Sequence, residues 1–222
     1  MWATVAIRDL TLADLPRLRE IDRCEHQHVR YRVEDGQLLS SPFDVQVPGW
    51  DPVGNGDHSV AGMIEFAQPI VAGGAHFVGA FAEDELAGIV IVDPVFGPDT
   101  VWLALLHVDR SHRRRGVASV LWRVAADRAR AIGKGAIYVS ATPGDSAVGF
   151  YLSRGCRLAS GAEVSDDLYD LEPEDIHLIC ELPPNPRGDD DVGVHLRMVR
   201  GPISENAHLL HAGASEPTST HG

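Results

Sequence analysis

One stretch, Val101 to Tyr151, limits most sharply what this chain can fold into. Val101-Trp102-Leu103-Ala104-Leu105-Leu106-His107-Val108 is a nearly continuous apolar run of strand length, which suits a strand buried on both faces. Arg113-Arg114-Arg115-Gly116-Val117-Ala118 follows. From Val117 to Ile132 the residues Val117, Leu121, Val124, Ala125 and Ile132 then form one helical stripe, with Gly133 as a C-terminal stop. The order strand, arginine-glycine turn, helix directs the free N–H groups of the helix's first turn beyond the strand end. With the positive end of the helix dipole and the arginines, they make a site for phosphate oxygens.

The charge distribution agrees. The chain of 222 residues carries a net charge of −13, yet the window 110–134 holds Arg110, Arg113, Arg114, Arg115, Arg123, Arg128, Arg130 and Lys134 against the single acid Asp127. A positive patch in a negative protein implies a local anionic partner. A solvated helix face accounts for Arg123, Arg128 and Arg130, but not for three arginines before a glycine at a strand–helix junction.

This segment resembles the cofactor-binding motif of the GNAT superfamily of N-acetyltransferases: Arg or Gln, two residues, Gly, one residue, then Gly or Ala. Arg113, Gly116 and Ala118 stand at those places. A second block supports the likeness. Gly135-Ala136-Ile137-Tyr138-Val139-Ser140 reads as a strand, and Ala147 to Cys156 is similar to the family's alanine, Phe-Tyr and terminal Gly-Phe pattern, with Cys156 in place of the usual aromatic. The resemblance covers about positions 76 to 182. It implies an α/β fold with a central mixed β-sheet of about six to seven strands flanked by helices on both faces, and acetyl-CoA as co-substrate. By the same likeness, Arg113, Arg114, Arg115, Gly116, Val117, Ala118 and Ser119 surround the pyrophosphate, while Leu106, Val108 and Ser140 line the rest of the cofactor path.

In chain order, Ala3 to Arg8 reads as a short strand. Thr11 and Asp14 form a capping-box-like pair opening a helix to about Arg23, with Leu12, Leu15, Leu18 and Ile21 on its apolar face. Residues 24–75 show no regular pattern beyond a helix from about Ser59 to Ala67, ending before Pro69. In the family such a segment commonly helps to form the acceptor site, so Tyr31, Phe43, Trp50 and Phe66 are either pocket residues or loop anchors. His76 to Phe81 and Leu86 to Asp93 form a hairpin across Ala82-Glu83-Asp84-Glu85. Asp175 to Leu182 is the last strand of a domain spanning 1–182, with Ile176, Leu178, Cys180 and Leu182 on one face. Val192 to Val199, within 183–200, is an extra edge or exchanged strand that would suit a homodimer. Residues 201–222 have the composition of a disordered tail.

The reaction the resemblance implies is acyl transfer from a thioester to a primary amine of a small molecule. An amine with a pKa of ~10.4 is protonated at neutral pH, so its proton must leave before attack. The departing thiolate, with a pKa of ~8.5, gains from an acid, and a phenol of pKa ~10 can serve. Tyr151 matches the family tyrosine near the thioester sulfur; by itself it also reads as a packed aromatic beside Phe150. The central strand offers no carboxylate base. His107 is its only titratable side chain and is either the base, acting directly or through ordered water, or a structural histidine, in which case Glu65 or Asp93 could serve as the base.

Composition excludes several classes. The acidic balance opposes general nucleic-acid binding, and no apolar run approaches the ~20 residues of a membrane span. Met1 to Asp9 lacks a signal-peptide layout, so a cytoplasmic protein is expected. Three cysteines, Cys24, Cys156 and Cys180, suggest no disulfide framework. Cys24, His26 and His28 share one side of an extended segment without an evident fourth ligand, and Asp189-Asp190-Asp191 reads as a solvated acidic run, so no metal site is expected. Neither a P-loop ending nor a Gly-x-Ser-x-Gly elbow occurs. Residues Ser165 to Tyr169 and the following strand loosely resemble the end of streptothricin-type acetyltransferases. The acidic surface suits a cationic acceptor such as a polyamine or basic antibiotic. The rival is a non-catalytic acyl-CoA-binding or regulatory module of the same fold.

Overall fold

The computed structural model describes residues 5–183. In chain order it contains β1 (Ala6–Asp9), a 3-10 helix (Leu12–Glu20), β2 (Glu25–Glu34), β3 (Gln37–Val47), α1 (Val60–Ala72), β4 (His76–Ala82), β5 (Glu85–Asp93) and β6 (Thr100–Val108). Then come α2 (Val117–Ala131), β7 (Ala136–Ala141), α3 (Asp145–Leu152), β8 (Arg157–Leu158), α4 (Asp166–Leu171) and β9 (Ile176–Glu181). Seven strands make one sheet in the order β1-β4-β5-β6-β7-β9-β8. The β6–β7 pair is parallel, joined by α2 as a crossover, and the other neighbours are antiparallel. The expected mixed sheet with helices on both faces is present.

Its two faces carry separate apolar clusters. On one, Val117, Leu121, Ala125, Ala126 and Ala129 of α2 and Val148 and Tyr151 of α3 pack on Val101, Leu103, Ile137, Val139, Ile176, Leu178, Cys180 and Leu182. On the other, Leu15, Leu18 and Ile21 with Val60 and Ala67 of α1 cover Phe77, Phe81, Ile89, Ile91 and Leu105. The shared face of Ile176, Leu178, Cys180 and Leu182 follows from strand alternation. Ile132 differs from the expected stripe: α2 ends before it, and it is exposed, while the small Ala126 and Ala129 lie inside.

Other expectations need correction. The N-terminal helix is a 3-10 turn system from Leu12 to Glu20 that contains Pro16 and leaves Leu12 exposed. Asp14 does form the expected reciprocal contact, its Oδ2 accepting from the Thr11 backbone N–H at 2.8 Å and hydroxyl at 2.9 Å. Residues 24–75 are far more regular than expected. β2 and β3 form a separate two-stranded sheet, closed by Asp35 and Gly36 at φ 50° and 73°. Two consecutive left-handed residues are what a tight hairpin turn requires, and Asp-Gly supplies them. α1 runs through Pro69 to Ala72, because Pro69 falls near its end on the solvent side, where losing one helical bond costs least.

Cys156 and Cys180 are joined as a disulfide, across 24 positions of sequence, and Cys24 is free. This corrects the expectation of no disulfide: β8 returns antiparallel to β9 and carries Cys156 to Cys180, a contact invisible in spacing alone. Among the described residues no helix is long and apolar enough to cross a membrane. The strand expected at 192–199, Asp189-Asp190-Asp191 and the tail at 201–222 lie outside the described residues.

Candidate active site

The end of β6 leads into a tightly held turn. Asp109 accepts from Ser111 N–H through Oδ1 and from Asp22 N–H through Oδ2, both at 2.9 Å, which fixes the strand end against the segment entering β2. Arg113 turns inward. Its Nε donates to the Val108 carbonyl at 3.2 Å, its Nη1 donates to the Cys24 carbonyl at 2.8 Å, and Glu25 lies 3.5 Å away. The first residue of the motif therefore braces β6 against the start of β2. Arg114 and Arg115 are exposed.

Arg114 and Gly116 have φ of 59° and 88°, left-handed conformations of the kind that fold successive backbone amides into an anion-binding concavity. Gly116 is also the N-cap of α2 and offers no side-chain acceptor to the amides of the first turn. They stay available to a ligand, with the dipole of a 15-residue helix behind them. Of the remaining basic residues, Arg128 pairs with Asp9 and Arg130 with Asp127, as a helix-face role requires. Arg154 was not foreseen. It stacks over Phe150 and donates to Ser119 Oγ at 2.7 Å, bringing one more cation to the first turn of α2.

Beside this turn the sheet opens. β6 and β7 pair only from Thr100 to Trp102 with Ala136 to Tyr138. Past Trp102 the two strands are no longer paired; Leu106 and Val108 lie on the unpaired part of β6 and Ser140 on that of β7. A one-residue irregularity between Ile91 and Val92, opposite Leu105 and Leu103, leaves Ala104 bulged. This moves Leu105 to the α1 face although Leu103 faces α2. The β2–β3 hairpin crosses the far end of β7. Tyr31 N–H donates to the Pro143 carbonyl at 2.9 Å, Arg30 bridges Gly144, and any Cβ on Gly144 would lie 2.3 Å from Gln27 Nε2.

The four aromatics expected in an acceptor pocket divide between two places. Trp50 sits edge-on to His107 at 4.9 Å under Arg23, and Phe66 edge-on to Trp102 at 6.0 Å. Tyr31 and Phe43 belong to the hairpin. Phe96 stands against both Trp102 and Tyr138, and Tyr138 Oη lies 2.6 Å from His177 Nδ1. Among the described residues, Arg23 Nε, Trp50 Nε1, Trp102 Nε1 and His177 Nε2 are buried polar atoms without a hydrogen-bond partner.

A family model described as the acetyltransferase (GNAT) family matches residues 45–156. The chain belongs to the GNAT acetyltransferase family. Among solved structures, a nourseothricin acetyltransferase superposes with a TM-score of 0.59 at 18% identity, covering 81% of this chain and 99% of the other. A Bacillus anthracis Ames protein described as a streptothricin acetyltransferase, in complex with acetyl coenzyme A, gives 0.57 at 17% identity, covering 80% and 98%. PaiA N-acetyltransferase from Thermoplasma acidophilum, in complex with coenzyme A, gives 0.50 at 14%, covering 80% and 98%. These identities show a shared fold. No curated protein sequence matches the chain.

Within this GNAT frame the proton-carrying groups differ from the expected ones. His107 lies on β6 as expected, but burial, and then Arg23 and Arg113, lower its pKa to about 3. The neutral ring is held at every working pH, so the near-neutral pKa expected of a base is not there. Tyr151 sits in the core against Trp122 and Phe150, and burial pushes its hydroxyl well above the usual phenol range. Glu65 is exposed on α1. Asp93 stands opposite Trp102, at the closed end of the cleft, and accepts from Val95 N–H at 2.9 Å in a turn. Sequence reading missed Asp175. Its Oδ2 accepts from Ser140 Oγ at 2.9 Å, and burial, reinforced by Glu172 and Glu174, raises its pKa to about 6. The available signal is the acidic run Glu172-Pro173-Glu174-Asp175 at the head of the last strand.

Proposed function

We propose that this GNAT protein transfers the acetyl group of acetyl-CoA directly to a primary amine of a small, cationic molecule. The observation that carries the reading is the junction of an open β6–β7 cleft with an uncapped α2 N-terminus, whose turn contains left-handed Arg114 and Gly116. A diphosphate is held there by backbone amides, Arg114, Arg115 and Arg154, while the pantetheine arm extends along Leu106 and Val108 toward Ser140. Acetyl-CoA would supply the activated thioester. Tyr151 is the acid for the departing thiolate on its match to the family tyrosine, although burial, which holds its phenol above the usual range, makes that transfer uphill. Asp175 is the better base: a carboxyl with a pKa near the working pH accepts a proton without being exhausted at neutrality, which His107 cannot match. The cationic acceptor is favoured by the net charge of −13 and by Asp175 with its acidic neighbours Glu172 and Glu174. The structural neighbours named for nourseothricin and streptothricin acetylation are consistent with it.

Calorimetric titration of acetyl-CoA into wild type and Gly116→Trp tests the cofactor reading. A side chain at this left-handed position strains the turn and fills the concavity, so binding by wild type alone is expected. No binding by wild type would overturn the assignment. Acetylation of a panel of amines then tests the acceptor class, and preference for neutral or anionic amines would remove the cationic proposal.

A further inference from the structure

The β2–β3 hairpin has a second chemistry on its outer side. His26 and His28 are two positions apart on β2, hence on one face, and their rings stack with centroids 4.6 Å apart. Gln27 between them is buried toward Gly144, so the histidines face solvent. Asp44 on β3 completes the group, with Oδ1 at 2.5 Å from His26 Nε2. One ligand atom from each of the three lies within 4.8 Å of the others, and all three side chains are exposed. Cys24, which the sequence grouped with the histidines, is not part of the set: its Sγ lies against Gly49.

We propose that His26, His28 and Asp44 form a binding site for a divalent transition-metal ion of the Zn²⁺ type, with water completing the coordination. Two imidazoles and one carboxylate are a donor set that such ions favour over Mg²⁺ or Ca²⁺. A tetrahedral ion with bonds of ~2.0–2.1 Å holds its ligand atoms about 3.4 Å apart. Small rotations of exposed side chains bring atoms within 4.8 Å to that spacing. The site has a clear structural consequence. An isolated two-stranded sheet is marginal in water, and this one is distinct from the main sheet. An ion bridging His26 and His28 to Asp44 cross-links its two strands near their open end, next to Glu25, which pairs with Arg113 at the cofactor turn. The metal is thus a clasp on the hairpin that borders the cleft.

The histidines at 195, 208, 211 and 221 also offer imidazoles to Zn²⁺ in the full chain, so stoichiometry alone is no test. Hydrogen exchange read by mass spectrometry on the full chain, with and without Zn²⁺, locates the effect. Zn²⁺ held at a hundred times its Kd should slow exchange of amides in 25–47 by up to ~100-fold, and a His26→Gln/His28→Gln variant should lose that protection. Absence of hairpin protection in wild type, or equal protection in the double variant, overturns the site. If the double variant's metal-free exchange differs from wild type, Asp44→Asn replaces it, because Asn keeps a hydrogen bond to His26 but loses the anionic ligand. Weakened protection in Asp44→Asn supports the site, and undiminished protection overturns it.

Discussion

Ser140 Oγ donates to Asp175 Oδ2 at 2.9 Å, tying the cleft side of β7 to the residue that enters β9. Asp175 titrates near 6 in the folded protein because its carboxyl is buried and has Glu172 and Glu174 as neighbours. In the unfolded chain an aspartate titrates near ~3.9. Between these values the folded state binds more protons, so stability falls as pH rises from about 4 to about 6 and levels off above. The cost at neutrality is about 3 kcal/mol at most. Asp175→Asn removes it. The variant should resist urea better than wild type at pH 7.5, by ~1–3 kcal/mol, and match it near pH 4. An equal change at both pH values would show that the charge is not the cause.

The same substitution separates stability from turnover. If Asp175 takes the amine proton, Asp175→Asn should lower kcat/KM by ~10²-fold at pH 8 and abolish an inflection near pH 6. A protein that gains stability while losing rate has lost a working group and not its fold. Unchanged rates would return the base to another residue or to water.

His107→Gln should leave that inflection in place. With its pKa lowered to about 3, His107 does not change charge between pH 5 and 8, so removing it alters packing against Trp50 but no titration in this range. A kcat/KM–pH profile of the variant checks this. Disappearance of the inflection would assign it to His107 and not to Asp175.

The Cys156–Cys180 link closes a loop of 24 positions, for which unfolded-state entropy predicts a contribution of about 3 kcal/mol. Cys156→Ser, or reduction of wild type, should lower denaturant stability by that order. Thiol titration of the unfolded, non-reduced protein should find Cys24 alone. Three free thiols would mean that the link does not form in solution.

The seven-stranded sheet was largely legible because its signals are local. The β6 apolar run, the Arg113–Ala118 turn and the α2 stripe each lie within one element, as do the alternating residues of β9. The β2–β3 hairpin was missed although Asp35-Gly36 is a strong turn signal, because its strands mix His, Arg, Gln and Ser and face the body of the protein on one side only. Asp175 and Asp44 escaped for another reason. What makes each chemically notable is a neighbour far away in the chain, Ser140 for one and His26 for the other. The fate of Arg113 was equally hidden: a motif residue expected at the phosphates instead holds the Cys24 and Val108 carbonyls.

Tyr151 gives the sharpest test of the proposed chemistry, because its two readings predict different results from one oxygen atom. As a packed aromatic it contributes through its ring, against Trp122 and Phe150, and Tyr151→Phe keeps that ring. As the acid it contributes through the hydroxyl, which burial keeps protonated throughout the working range. Tyr151→Phe should therefore lower kcat by ~10²-fold while leaving acetyl-CoA affinity by calorimetry within ~3-fold and denaturant stability within ~1 kcal/mol. A loss of rate confined to chemistry places the proton on this phenol. An unchanged kcat would leave the tyrosine as packing, and the thiolate would then leave unassisted or take its proton from water.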